Sequence, residues 1–321
     1  MLQQTTVPAV LPYYRNWFQL FPDVRALARA RLPKVLKAWQ GLGYYQRARN
    51  LHTAARVVSR EHAGSIPQSY DELLALPGFG PYIAAAVSSI AFNKPSPVLD
   101  ANVRRVLMRI SCLRRELNSK MEKQLLRDLS TLMQETRPGE FNQAMMELGA
   151  LVCKPKNPSC LLCPVQRFCL AYKEGKQEVI PAPRKRNYRQ IETVVGIIKK
   201  SGKYLIQKRP STGLLAGLWE FPGGKRKKGE TREGTLRREI REELGAEVKE
   251  AKFLLNLRHA YTQFRVSLYA YECVLRRKPR LTGDSHRWVA LEDLKLYPFP
   301  SGSAKVVRFL EKRNSQVSRC R

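Results

Sequence analysis

The sequence is poor in acidic residues and contains no long apolar run. Its 321 residues include 27 Asp and Glu against 58 Lys and Arg, a formal net charge of +31. No apolar run reaches the roughly 20 residues that a membrane-spanning helix needs. The start, MLQQTTVPAVLPYY, lacks a basic segment followed by an apolar one, so we expect no signal peptide and a cytoplasmic location. The charge favours a polyanionic partner, although a ribosome-associated or merely soluble basic protein would have a similar composition.

The sequence also lacks the evenly spread cysteines of a small disulfide-stabilised protein. Four of the seven cysteines crowd between positions 153 and 169, and the other three are scattered. Cys153, Cys160, Cys163 and Cys169 have the spacing C-x6-C-x2-C-x5-C, which suits either tetrahedral zinc or an iron–sulfur cluster. The spacing alone leaves both metals open, and disulfides are a poor expectation for a cytoplasmic chain.

The stretch 76–105, LPGFGPYIAAAVSSIAFNKPSPVLDANVRR, combines a glycine turn, two predicted helices and an aspartate. Gly78 and Gly80 allow a tight turn and leave backbone amides uncovered just before a helix that begins at Pro81. Amides at a helix N-terminus readily bind phosphate. Asp100 occupies the N-cap position of the second helix. Taken alone, these features also fit a helical hairpin whose aspartate is only a cap.

Composition and periodicity predict two domains. Apolar residues three and four positions apart predict helices up to about residue 175. The segment 176–192, KQEVIPAPRKRNYRQIE, carries two prolines and five Lys or Arg, and we predict an exposed linker. From Thr193 onward, alternation in TVVGIIKK and YLIQKRP predicts strands, and a charged helix follows. We therefore predict a helical domain over 1–175 and a smaller α+β domain over 193–321.

The charged helix of the second domain carries three glutamates on one face. Glu239, Glu242 and Glu243 stand at i, i+3 and i+4. Carboxylates grouped in this way can hold Mg²⁺ or Mn²⁺ against a diphosphate. The alternative is a solvated acidic face that pairs with the neighbouring arginines.

Five motifs follow one another in the order typical of a known family. They are MLQQTTV at 1–7, GLGYYQRARNLH at 41–52, the stretch 76–105, FNQAMMELGALVC at 141–153 and the cysteine loop. Together they resemble the MutY-type adenine DNA glycosylases, which remove adenine mispaired with 8-oxoguanine. The resemblance implies an all-α helix–hairpin–helix glycosylase domain with a [4Fe–4S] loop, followed by a smaller α+β Nudix-like domain.

The resemblance also implies a cofactor and a partner. It assigns a [4Fe–4S] cluster to the four cysteines of the loop. It makes double-stranded DNA with A·8-oxoguanine or A·G mispairs the partner of a nucleoid-associated protein, which we expect to be monomeric. Gln4 and Thr5 match residues that fill the gap left by the extruded adenine, and Tyr44 matches the aromatic that wedges beside the oxidised guanine.

Three residues of the hairpin match the chemistry of the family. Asp100 matches the carboxylate that stabilises the oxocarbenium-like sugar or captures it briefly, and Asn102 is placed to orient that carboxylate or the water. Tyr82 stands where bifunctional relatives carry a lysine that forms a Schiff base with the sugar. The resemblance therefore implies a monofunctional glycosylase.

One residue of the family pattern is missing from the sequence. The family supplies a general-acid glutamate two residues before the Met of MLQQT, and here that Met is Met1. Either the chain is truncated at an internal methionine or it binds lesions without cutting them. We favour truncation, because the sequence starts within the motif.

The second domain resembles a Nudix box with the spacing G-x5-E-x7-R-E-x2-E-E-x-G. The matching residues are Gly224, Glu230, Arg238, Glu239, Glu242, Glu243 and Gly245. The glycosylase family uses a related domain to read 8-oxoguanine, through a loop that corresponds here to YTQ at 261–263, in which Thr262 keeps a hydroxyl. The alternative is an active Nudix diphosphate hydrolase, with Mg²⁺ at Glu239, Glu242 and Glu243, fused to a DNA-binding module.

Overall fold

The computed structural model describes residues 1–2, 5–114, 117–133, 136–182, 188–213, 215–261, 264–281 and 283–319. The chain divides into two compact units, one formed by Met1–Arg56 with Arg186–Arg321 and the other by Val57–Lys185. The N-terminal helices thus belong to the unit that contains the sheet. The predicted segments 1–175 and 193–321 divide the chain at other points, and these domain boundaries stay a prediction.

The N-terminal part of the first unit is helical, as the apolar periodicity predicts. Its helices are α1 (Val7–Leu20), α2 (Val24–Arg29), α3 (Leu32–Ala38) and the start of α4 (Gln46–Glu61). Trp17 and Trp39 pack edge to face, with ring centroids 5.5 Å apart, in the buried core of these helices. Leu218, from the C-terminal part of the chain, is fully buried in the same core.

Hydrogen bonds also join the N-terminal helices to the C-terminal part of the first unit. The Tyr45 hydroxyl donates to the carbonyl oxygen of Phe299 at 3.0 Å, and both groups are buried. Lys37 Nζ donates to the carbonyl oxygen of Tyr297 at 3.3 Å. The Arg49 guanidinium donates to the carbonyl oxygen of Ala216. These contacts fix the C-terminal part of the unit against α3 and α4.

The C-terminal part of the first unit is built on a mixed sheet. Its strands are β1 (Arg189–Lys200), β2 (Lys203–Lys208), β3 (Trp219–Glu220), β4 (Gly223–Lys225), β5 (Val248–Tyr261), β6 (Phe264–Leu275) and β7 (His286–Ala290). The path β3-β2-β1-β6-β5 includes a parallel pairing of β1 with β6, while β4 pairs with β1 and β7 pairs with β2. Because β1 begins at Arg189, the end of the predicted linker is strand.

Two helices accompany the sheet: α11 (Arg232–Leu244) and α12 (Ser301–Arg319). Leu236, Ile240 and Leu244 of α11 are fully buried against the sheet residues Val194 and Ile198. The spacing of four between these three residues gives α11 one apolar face, which leaves its charged residues on the remaining faces.

The second unit is helical and contains the predicted hairpin. It contains the end of α4 and the helices α5 (Tyr70–Ala75), α6 (Pro81–Phe92), α7 (Ala101–Ile110), α8 (Ser119–Leu132), α9 (Pro138–Glu147) and α10 (Leu170–Lys173). Val103 and Leu107 of α7 pack against Leu125 and Leu129 of α8. The predicted fold class, a helical first half followed by an α+β domain, is confirmed. Among the described residues, no helix is both long enough and apolar enough to cross a bilayer.

Leu218→Ala is expected to destabilise the protein by about 3 kcal/mol, because it removes a fully buried side chain and leaves a cavity in this core. Urea unfolding measures the loss. The matched control is Leu296→Ala, since Leu296 is 64% exposed and should change the free energy of unfolding by less than about 0.5 kcal/mol. Equal stabilities of the two variants would contradict this description of the core.

Candidate active site and DNA-contacting residues

The predicted glycine turn lies between α5 and α6. Gly78 has φ +82°, a left-handed conformation that disfavours other residues. Gly80 is the N-cap of α6 with φ −95°, and a Cβ there would meet no atom within 4 Å. Neither its backbone conformation nor the space beside it therefore requires glycine. Pro81 occupies the first helical position, as predicted.

Asp100 caps the second helix of the hairpin. Its Oδ1 accepts a hydrogen bond from the Val103 amide at 2.7 Å, which satisfies one of the free amides at the start of α7. Its Oδ2 accepts from Asn102 Nδ2 at 3.2 Å. One carboxylate oxygen thus caps α7, and Asn102 holds the other. This geometry agrees with the prediction that Asn102 orients Asp100.

A buried asparagine fixes the connector that leads to Asp100. Asn142 Nδ2 donates to Ser89 Oγ and to the carbonyl oxygen of Ser96, both at 2.8 Å. Its Oδ1 accepts from the Val98 amide at 3.0 Å. Because Asn142 is almost fully buried, these bonds are protected from water, and they hold the chain in place just before the aspartate.

Arg105 continues the network from Asn102 into the centre of the unit. Arg105 Nη2 donates to Asn102 Oδ1 at 2.9 Å and to the carbonyl oxygen of Gly149 at 2.7 Å, and Nε donates to the carbonyl oxygen of Cys153 at 2.8 Å. Burial lowers the pKa of Arg105, although the nearby Cys153 and Asp100 oppose this shift. A Cβ on Gly149 would lie 2.6 Å from Asn102 Cβ, so only glycine permits this approach.

Tyr82 lies in the first turn of α6 and is half-buried. Burial raises the pKa of its hydroxyl, and the charge of Asp100 raises it further. The hairpin therefore brings Tyr82 within electrostatic reach of Asp100, as the resemblance implies. A phenol cannot form a Schiff base with a sugar, so this position lacks the amine that strand cleavage by a lyase requires.

The four clustered cysteines line one small cavity. Cys153, Cys160, Cys163 and Cys169 surround it together with Arg109. Burial raises the pKa of the Cys160 thiol, and the charges of the other three cysteines raise it further. Burial is also the main cause of the raised pKa of Cys163. Four thiols that oppose each other's ionisation are the donor set that a cation would convert to thiolates.

One buried cation beside the cavity fits a bound anionic centre. The Arg109 side chain is only 2% exposed, and its Nη1 lies 3.2 Å from Cys153 Sγ. The donors present therefore fit an iron–sulfur cluster or a zinc ion. In the present side-chain conformations, however, the described residues contain no group of three or more His, Cys, Asp or Glu side chains arranged to hold a metal ion.

The predicted DNA-contacting residues of the first unit lie around one arginine. Arg47 Nη2 donates to Thr5 Oγ1 at 3.2 Å, and the guanidinium carbon lies 5.6 Å from the centroid of the Tyr44 ring. Tyr44 is exposed over 38% of its surface. The predicted contacts at Gln4 and Thr262 lie outside the described residues.

The predicted glutamates on α11 do not converge on one point. Arg238 Nη1 donates to Glu239 Oε1 at 2.8 Å and to Glu242 Oε2 at 3.1 Å. Hydrogen bonds from the Arg238 guanidinium are the main cause that lowers the pKa of Glu230 to about 2. Glu243 Oε2 instead accepts from the Gly223 amide at 2.8 Å.

The geometry therefore does not support the predicted Mg²⁺ at the Nudix box. Within the described ranges, Glu239, Glu242 and Glu243 are not arranged as a metal site. The physical reason is the Arg238 guanidinium, whose cationic donors already pair with Glu239 and Glu242. The alternative of an acidic face paired with arginine agrees with the structure.

Comparison with known proteins decides the family. Residues 1–131 match the family model of HhH-GPD superfamily base excision DNA repair proteins, and residues 193–308 match the NUDIX domain model. The chain is 33% identical to the adenine DNA glycosylase of Mus musculus over 97% of its length. The chain belongs to the adenine DNA glycosylase family.

Other relatives and solved structures are similar over parts of the chain. The adenine DNA glycosylases of Schizosaccharomyces pombe and Homo sapiens are 36% and 37% identical over 69% of this chain. The matched region spans 70% of the mouse protein, 58% of the fission yeast protein and 50% of the human protein. A thermostable thymine-DNA glycosylase structure, 30% identical, covers 54% of this chain and 80% of its own, with a TM-score of 0.49. A MutT structure, 30% identical, covers 39% of this chain and 99% of its own, with a TM-score of 0.34.

Several site residues of this adenine DNA glycosylase family member were not identified from the sequence. Arg105 lies at the end of the stretch 76–105 and Gly149 lies in FNQAMMELGALVC, but nothing in their spacing indicates that the two residues are in contact. Arg109 is four residues after Arg105, so helical periodicity alone would place both arginines on one side of α7. Arg47 lies within GLGYYQRARNLH, where its charge alone suggests only a phosphate contact.

Glu243→Gln is expected to make the free energy of unfolding less dependent on pH. Burial is the main cause that raises the pKa of Glu243 to about 7, so the folded protein keeps a proton that the unfolded chain loses near its ordinary pKa. The wild type should therefore lose stability as the pH rises from about 4.5 to about 7, by about 3 kcal/mol from this group.

Urea unfolding at pH 5 and pH 8 measures the difference. Glu243→Gln should lose less stability over this interval than the wild type, because glutamine has no proton to lose. Glu242→Gln is the matched control, since Glu242 lies on the exposed face of the same helix. If Glu243→Gln kept the wild-type pH dependence, the buried carboxyl would not be the group that titrates.

Proposed function

We propose that the protein is a monofunctional adenine DNA glycosylase. In this proposal it hydrolyses the N-glycosidic bond of adenine opposite 8-oxoguanine or guanine in double-stranded DNA. The observation that carries the proposal is the Asp100 carboxylate, held on Oδ1 by the Val103 amide and on Oδ2 by Asn102 at the end of the hairpin. Family membership and the net charge of +31 support DNA as the partner.

The chemistry requires a fixed negative charge beside the sugar. Cleavage of the glycosidic bond builds positive charge on the sugar carbon, and a carboxylate that is already oriented stabilises that charge without reorganisation. The network from Asp100 through Asn102 to Arg105 supplies this orientation. Tyr82 contributes bulk and polarity beside the aspartate but no nucleophilic amine.

We propose that Thr5 and Tyr44 contact the mispair, together with Gln4 and Thr262. An adenine in a duplex must leave the stack before its sugar can be attacked, and another group must fill or widen the gap. The exposed Tyr44 ring has the shape and polarity for this task. Gly78 and Gly80 would place uncovered amides at the DNA backbone, since amides at a helix N-terminus bind phosphate.

We propose that Cys153, Cys160, Cys163 and Cys169 hold a [4Fe–4S] cluster. The four thiols share one cavity, and the buried Arg109 would balance the negative charge of metal-bound thiolates. Bound there, the cluster would cross-link the loop, which is a structural contribution. The chain itself would hold Lys154 and Lys156 on that loop, where they can face phosphates.

Asp100→Asn is expected to slow adenine release from an A·8-oxoguanine duplex by about 10²–10³ under single-turnover conditions. It should keep its affinity for the same duplex, because asparagine preserves the shape of the side chain. Asp71→Asn, at the exposed start of α5, is the control and should keep the wild-type rate.

The absolute rate of the wild type separates two hypotheses. Measurable adenine release from the A·8-oxoguanine duplex would support a glycosylase. A chain that binds the A·8-oxoguanine duplex selectively but releases no adenine would be a lesion-binding protein. Equal release by wild type and Asp100→Asn would contradict the assignment of Asp100.

The purified protein is expected to be brown, with broad absorption near about 400 nm from thiolate-to-iron charge transfer. Iron and sulfide analysis should find about four of each per chain. Cys160→Ser should lose the colour, whereas Cys273→Ser, a cysteine far along the sequence in the sheet, should keep it. One equivalent of zinc without iron would contradict the cluster.

A further inference from the structure

One arginine joins the two sequence motifs that we propose contact the mispair. Arg47 lies in the first turn of α4. Its Nη1 donates to the carbonyl oxygen of Met1 at 3.0 Å, and its Nη2 donates to Thr5 Oγ1 at 3.2 Å. The guanidinium therefore binds both ends of the described part of the segment MLQQT.

The same guanidinium holds the loop 41–45, which carries Tyr44. Arg47 Nη2 also donates to the carbonyl oxygens of Leu42 at 3.1 Å and Gly43 at 3.2 Å. The guanidinium carbon lies 5.2 Å from the Trp39 ring centroid and 5.6 Å from that of Tyr44. Planar stacking and a fork of donors are properties of arginine that lysine lacks.

The loop needs such support because its backbone is unusual. Tyr44 has φ +48°, a left-handed conformation that residues with a side chain rarely adopt. The next residue, Tyr45, is anchored through its buried hydroxyl to the carbonyl oxygen of Phe299 at 3.0 Å. Tyr44 is therefore an exposed ring on a constrained backbone, in contact with Arg47 and followed directly by the anchored Tyr45.

We propose that Arg47 is a positioning residue for lesion selectivity. It holds Thr5 and the Tyr44 loop in one fixed relation, so that the two meet the mispair together. This inference rests on the proposed function, since selectivity has meaning only if the protein distinguishes 8-oxoguanine from guanine. Arg47 acts through Thr5 and Tyr44 rather than through its own charge on the DNA.

The test is a selectivity ratio measured by fluorescence anisotropy: the dissociation constant for a guanine duplex divided by that for an 8-oxoguanine duplex. One duplex carries 8-oxoguanine and the other guanine, each opposite an adenine whose 2′-fluoro sugar resists hydrolysis. Arg47→Lys and Arg47→Gln should each lower the ratio by roughly tenfold, because neither side chain can serve all four acceptors. Arg56→Gln is the charge-matched control on the exposed face of α4, and it should weaken both complexes equally and leave the ratio unchanged.

A double-mutant cycle separates positioning from general damage. In a Tyr44→Ala background, Arg47→Lys should lower the ratio by clearly less than tenfold, since one of the two residues through which Arg47 acts is gone. Thermal unfolding and affinity for an undamaged duplex show that the variants are folded. Arg47→Lys keeps the charge, so it provides the answer if Arg47→Gln fails to fold.

Each outcome decides the proposal. A wild type that prefers the 8-oxoguanine duplex, with an unchanged ratio in Arg47→Lys, would overturn the positioning role alone. Full loss of selectivity by Arg47→Lys in the Tyr44→Ala background would also overturn it, because the two effects would be independent. A wild type with no preference would overturn the proposed reading of 8-oxoguanine and this inference with it.

Discussion

The helical unit depends on the hydrogen bonds of one buried cation. Arg105 donates to Asn102 Oδ1 and to the carbonyl oxygens of Gly149 and Cys153, and it is only 8% exposed. A charge removed from water is costly unless donors and acceptors surround it. The two carbonyls lie where the π-helical turn Leu148–Val152 leads into the cysteine loop, so the arginine joins that loop to the residue that holds Asp100.

Helix α7 connects the carboxylate and the cysteines because three of its groups point to different neighbours. Asp100 caps its start, Arg105 contacts the carbonyl of Cys153, and Arg109 contacts the Cys153 sulfur and the carbonyl oxygens of Lys154 and Ile180. A change in the cysteine loop would therefore alter the same helix that carries the aspartate.

Local patterns could be predicted from the sequence, and contacts between distant segments could not. The N-cap role of Asp100 and the left-handed Gly78 follow from a few adjacent residues, and the structure agrees with both. The face shared by Glu239, Glu242 and Glu243 follows from helical periodicity. The packing of α11 decides which of these glutamates Arg238 binds. It also explains why Glu243 accepts a hydrogen bond from the Gly223 amide instead.

Two contacts that the sequence did not indicate have the same physical origin. Gly149 and Asn102 are far apart in sequence, so their close approach leaves no periodic signal. The grouping of Met1–Arg56 with the sheet depends on buried contacts such as Leu218, a single leucine in a loop that resembles many others. The family resemblance supplied expected roles that spacing could not, including those of Tyr44 and Tyr82, and these roles stay predictions.

The central claim is that Arg105 acts on the chemistry through Asn102, and a double-mutant cycle tests it most directly. Single-turnover adenine release is measured for wild type, Arg105→Gln, Asn102→Ala and the double variant. The account predicts that each single change slows release and that the double variant is hardly slower than Asn102→Ala, with an interaction energy of about 1 kcal/mol or more. Additive losses, or an Arg105→Gln variant as fast as the wild type, would contradict it.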